Sequence, residues 1–100
     1  MKVTIASVGV KLNKALKTNV ERKVQLTLSK LEPYISTISI KLSSSIDTRG
    51  ISNNHCQLTI AVINQPNLVI EDTQADIECV LDRVLQKASR MIERLVVHNK

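Results

Sequence analysis

Two histidines, two cysteines and nine carboxylates are the groups with which this 100-residue chain would do acid–base, nucleophilic or metal chemistry. Their spacing supports none of these. His55 opens a strand pattern and His98 lies in a tail, and neither is paired with a nucleophile or a metal-ligand set. Cys56 and Cys79 form no C-x-x-C, so neither a zinc site nor a disulfide framework is indicated. Cys56 falls on the core side of its strand as a small hydrophobe, and Cys79 on the polar side of a helix. Gly9 and Gly50 are the only glycines, too few for a phosphate-cradling loop. Glu71, Asp72, Asp76 and Glu78 bracket a helix start, where carboxylates complement the helix dipole. Their spacing is sparser than a calcium loop requires. The expectation is a protein that is not an enzyme and carries no cofactor or metal.

The cations are more informative. Over Asp76–Lys100, DIECVLDRVLQKASRMIERLVVHNK, a helical wheel gathers Ile77, Val80, Leu81, Val84, Leu85, Ala88, Met91, Ile92 and Leu95 on one side. Arg83, Lys87, Arg90 and Arg94 fall within roughly 60° of arc beside that stripe, and Glu78, Asp82 and Glu93 on the opposite flank. None of the four cations has an acid four positions away, and Arg83 with Lys87 and Arg90 with Arg94 are like-charge pairs at that spacing. An external anion would relieve the repulsion. Phosphate fits best, because cations arrayed along a helix read backbone spacing and shape rather than base identity.

Those side chains need a scaffold, and the hydrophobic pattern predicts one. Lys2–Val8 alternates as a strand, and Gly9 releases the chain into a turn. From about Lys11 to Glu32, Leu12, Leu16, Val20, Val24, Leu28 and Leu31 form a helical stripe ended by Pro33. Lys23 and Lys30 sit at the stripe margin, their stems laid along the core. If the two helices lie side by side, this pair joins Arg83, Lys87, Arg90 and Arg94 along one groove. A second strand spans Ile38–Leu42, Ser43–Asn54 reads as a polar loop, Cys56–Ile63 as a third strand and Leu68–Glu71 as a short fourth. Between the last two, NQPN supplies turn residues. Thr73 and Asp76 have the spacing of a capping box for the last helix.

The order is β-α-β-β-β-α in one domain over residues 1–100, an α+β fold. A right-handed crossover should join two parallel strands, and an antiparallel meander should complete a four-stranded mixed sheet. Only one sheet face is consistently apolar, so both helices must cover it. Composition agrees with a small globular unit, 43% hydrophobic and 23% charged. With no Phe or Trp and only Tyr34, the chain lacks platforms for stacking single-stranded bases. A net charge of +5 favours a polyanionic partner. The free cysteines suit a reducing, cytoplasmic setting, and nothing in the sequence points to export or to a membrane-spanning segment.

Several stretches resemble the ribosome hibernation-promoting factors, the ribosome-associated inhibitor or sigma-54 modulation protein family. The opening M-K-V-T-I-A-S, then Leu16, V-E-R-K-V over Val20–Val24 and the Lys30–Leu31 pair are similar to that family's first strand and helix. In the last helix, Asp76, Leu81, Asp82, Lys87, Arg90 and Ile92 match D-M-Y-A-A-I-D-x-x-x-D-K-L-E-R-Q-L in register. Ile77, Glu78, Ser89 and Met91 depart from it, and I-E-D-T-Q-A-D is more acidic than its counterparts, which often carry a basic residue there. The resemblance implies a topology akin to double-stranded RNA-binding domains. It also implies binding to the small ribosomal subunit near the decoding region, with mRNA and tRNA kept out. By match, Lys23, Lys30, Lys87 and Arg90 would contact ribosomal RNA; the wheel adds Arg22, Arg83 and Arg94. Like short family members, the chain is expected to lack the domain through which long members pair ribosomes. The expected partner is the small subunit and its rRNA, with no membrane and no small-molecule substrate. The expected state is a monomer, with a weak dimer through Val97 as the variant. The alternative is a divergent paralogue that acts as a protein-interaction module, for which Glu78, Asp82, Glu93, Val96 and Val97 would serve.

Overall fold

A computed structural model of the chain describes residues 1–98. β1 (Lys2–Val8), α1 (Lys14–Leu28), a 3-10 segment (Ser29–Tyr34), β2 (Ile35–Ile46), β3 (Ser52–Val62), β4 (Leu68–Gln74) and α2 (Ile77–His98) follow in that order. The strands lie β1-β2-β3-β4 in one sheet, with β1 parallel to β2 and the other two pairs antiparallel. The α+β topology is thus the expected one.

Register follows burial. Ile5 pairs with Ile40, Ile40 with Leu58 and Leu58 with Ile70, so one row of aliphatic side chains crosses the whole sheet on one face. A slip of one residue would turn each row toward water. Val20, Val24 and Leu28 of α1 and Val80, Leu81, Val84, Leu85, Ala88 and Ile92 of α2 close over that face, all of them almost fully buried. Among the described residues no polar or charged residue is buried. Ile77 and Leu95 are half-buried at the ends of the α2 stripe, and Met91 is exposed at its margin.

Four expectations are corrected. Ser43–Asn54 is not a loop: β2 and β3 continue through it, pairing to Ile46 and Ser52 around a turn at Asp47–Ile51. Asp47 Oδ1 accepts hydrogen bonds from the Arg49 and Ile51 amides, and Gly50 takes the positive φ of 80° that the turn needs. Because the hairpin outruns both neighbours and both helices, its residues have no core to face and show no apolar alternation. It contributes to the long dimension of 48 Å.

The predicted first helix is shorter. Asn13, not Lys11, begins it, its Oδ1 accepting the Leu16 amide at 2.8 Å. The α-helix tightens at Ser29 into a 3-10 turn that contains Pro33 and keeps Leu31 buried. Gly9, at φ 74°, lets the lead-in pass close to β2, where the Ser44 hydroxyl donates to its carbonyl at 2.8 Å; a Cβ there would meet that hydroxyl at 2.9 Å. The fourth strand runs on to Gln74, which takes Thr73 out of the capping role. Asp76 caps α2 alone, accepting the Glu78 amide at 3.0 Å, while the Thr73 hydroxyl lies 2.8 Å from His55 Nδ1. The side chains of Val97 and His98 lie outside the described residues, as do Asn99 and Lys100.

Candidate nucleic-acid interface

α2 packs against β3 and β4 below and α1 at one side. Its two charged flanks therefore meet different neighbours. Lys23 reaches from α1 to the acidic flank, with Nζ 2.6 Å from Asp82 Oδ1 and 3.1 Å from Glu78 Oε2. Asn19 Nδ2 donates to Glu78 Oε1 at 2.6 Å. The Asp82 hydrogen bond, assisted by Glu78 against the cost of burial, raises the Lys23 pKa above its ordinary value. This seam holds the helices together and uses up the ammonium that was expected in a basic groove. The wheel separates the flanks of α2 correctly, but strand order decides which flank meets α1. The acidic one does.

The basic flank lies over β4, on the far side of α2 from α1. Leu68, Ile70, Asp72 and Gln74 are the β4 residues that point toward the helices. Asp72 thus continues an apolar row at the rim of the core, with its side chain only 14% exposed. Arg83 Nε donates to its Oδ2 at 2.7 Å and Lys87 Nζ lies 3.2 Å from the same oxygen. Its Oδ1 accepts the Thr73 amide at 2.8 Å and, at 3.4 Å, the Gln74 side-chain amide. Arg83, then the Thr73 amide, then Lys87 hold the Asp72 carboxyl far below the usual carboxylate range. The repulsion between Arg83 and Lys87, assigned above to an external anion, is relieved from inside the molecule. Within α2 no spacing signals this, because the partner comes from another element.

Arg90 and Arg94 continue the same edge, exposed and without an ion pair among the described residues. Arg22 and Lys30 are exposed on α1 and the 3-10 segment, likewise unpaired among the described residues. Lys11, Lys14 and Lys17, left aside by the stripe analysis, are exposed around the first turn of α1, which has no acidic residue. The structure therefore brings Arg83, Lys87, Arg90 and Arg94 onto one edge and ties Lys23 to the opposite, acidic flank.

The groups considered for catalysis are dispersed. His55 sits mid-strand on the open sheet face, its Nε2 3.3 Å from Glu71 Oε1. Cys56 is buried, and burial pushes its thiol up to about 12; Cys79 is exposed. Among the described residues no three potential metal ligands cluster, and no helix is long and apolar enough to cross a membrane.

Comparison with known proteins matches this arrangement to a named group. In structure the chain is similar to a ribosomal subunit interface protein from Coxiella burnetii, with a TM-score of 0.81 at 15% identity over 97% of this chain and 99% of that one. The N-terminal domain of Protein Y from Thermus thermophilus superposes with a TM-score of 0.70, also at 15% identity, over 95% of this chain and 99% of that one. No functionally curated protein matches the sequence significantly. The sequence profile described as sigma 54 modulation protein / S30EA ribosomal protein matches residues 3–97, nearly the whole chain, and the protein belongs to that family.

Proposed function

We propose that this protein is a non-enzymatic, cytoplasmic translation inhibitor that binds small-subunit ribosomal RNA near the decoding region and excludes mRNA and tRNA. Family membership and the likeness to a ribosomal subunit interface protein support the ribosomal partner. The observation that carries the reading is the exposed basic edge of α2, where Arg90 and Arg94 stand unpaired among the described residues. Arg22, Lys30, Lys11, Lys14 and Lys17 extend the positive surface over α1, and Arg83 and Lys87 adjoin the edge. Backbone phosphates are the ligand such a surface suits, with affinity falling steeply as salt rises.

A second reading, a protein-interaction module that has left the ribosome, is favoured by one observation: Asp72 engages two of the four cations of the basic edge. Cosedimentation with purified small subunits and whole ribosomes, at low and high salt, separates the two. Binding at low salt that is lost at high salt is expected. A folded protein that stays in the supernatant at low salt would establish the second reading.

A further inference from the structure

We infer that Asp72 is an internal competitor for RNA phosphate, a specificity-determining residue that keeps Arg83 and Lys87 occupied until a ligand displaces it. The inference rests on the phosphate-binding reading of the basic edge and deepens it. One carboxylate oxygen lies 2.7 Å from Arg83 Nε and 3.2 Å from Lys87 Nζ, so a single acid bridges both cations in the manner of a phosphate oxygen. Asp72 is held in place from its other side by the Thr73 amide and by the packing that leaves it 14% exposed. It therefore does not swing away with a mobile loop. Arg83 and Lys87, about half-exposed at 53% and 44%, remain within reach of an arriving anion.

The consequence is a graded edge. Arg90 and Arg94 meet any polyanion without first losing a partner. Arg83 and Lys87 engage only a ligand that offers phosphates close enough, and firmly enough placed, to replace the carboxylate. A loosely fitting polyanion uses two cations, whereas a complementary RNA surface uses four. Each phosphate contact adds about 0.9 to the slope of log affinity against log salt on a duplex. Asp72 thus lowers the slope for non-complementary ligands by up to about 1.8.

The test compares the wild type, D72N, R83Q/K87Q and D72N/R83Q/K87Q for binding to a random-sequence RNA duplex across a salt series, with thermal melting as a check on folding. D72N should bind the duplex several-fold more tightly at moderate salt, with a slope steeper by about 1 to 2. R83Q/K87Q should weaken duplex binding far more in the D72N background than in the wild type. Equal or weaker duplex binding by D72N, or an equal loss from R83Q/K87Q in both backgrounds, overturns the inference. So does absence of duplex binding by all four proteins. A measurement on the unaltered protein needs no variant to fold. On titration with inorganic phosphate, the Arg90 and Arg94 side-chain NMR resonances should shift at lower concentration than Arg83, and joint movement overturns the inference. If small subunits fail to bind the wild type while the duplex series behaves as described, the ribosomal reading falls and the role of Asp72 stands.

Discussion

Replacing Arg90 and Arg94 together by Gln should change the salt dependence of small-subunit binding in a calculable way, and replacing Lys23 by Gln should not. Arg90 and Arg94 are exposed and have no intramolecular ion pair among the described residues, so both are available to displace counterions condensed on RNA. Losing two phosphate contacts should lower the log–log slope by about 1.8. Between 50 and 200 mM salt, the double variant should therefore lose affinity about tenfold less than the wild type does. Lys23 is spent on Asp82 and Glu78 at 2.6 and 3.1 Å, and its loss removes a tie between helices. For K23Q the expected effect is a destabilisation of about 1 kcal/mol or less in urea, with the slope unchanged. Filter binding or cosedimentation across a salt series measures the first effect and chemical denaturation the second. A K23Q slope reduced as much as that of R90Q/R94Q, or an R90Q/R94Q slope equal to the wild type, would refute the assignment of the two flanks.

Two further outcomes follow from local geometry. Native protein should show one thiol to a water-soluble disulfide reagent, Cys79, with Cys56 appearing only on unfolding. Because burial raises the Cys56 pKa to about 12, the unfolded chain deprotonates first, and stability should fall above about pH 8.5, by about 2 kcal/mol at pH 10. Above about pH 10.5 the raised Lys23 pKa adds loss in the same direction. The difference between wild type and C56V in urea titrations isolates the thiol. At the start of α2, Asp76→Ala should cost about 1 kcal/mol, because its side chain accepts the Glu78 amide, whereas Thr73→Ala should leave the helix cap intact. A greater loss from T73A in thermal melting would restore the capping box.

What was legible beforehand was whatever one element determines by itself. β1 alternates over its full length, and six of the nine residues of the α2 stripe are buried, because periodicity reports which side of an element leaves water. Cys56 inward and Cys79 outward follow from the same rule. The long hairpin was not legible, since strands paired beyond the helices lack an apolar side and Ser, Asn and Thr there resemble a loop. Nor was the identity of the partner to Arg83 and Lys87. Asp72 read as one of several acids near a helix start, and only the continuation of β4 to Gln74 places it on the helix-facing row. The same holds for Lys23, whose position at the stripe margin was legible while the flank it meets was not.

The single apolar face has a consequence for the order in which the molecule forms. The longest strand pairing in the sheet joins β2 to β3, neighbours in sequence across a short turn, so that hairpin closes with little loop entropy. β1 has to find β2 across the intervening α1, a slower search. Val80, Leu81, Val84, Leu85, Ala88 and Ile92 all come from α2, and until they dock, the aliphatic rows of β3 and β4 stand open to water. During synthesis the nascent sheet therefore waits for the last element, and the Asp72 contacts with Arg83 and Lys87 form only at that late step. A domain that emerges N-terminus first thus acquires its basic edge only after all four strands have been translated.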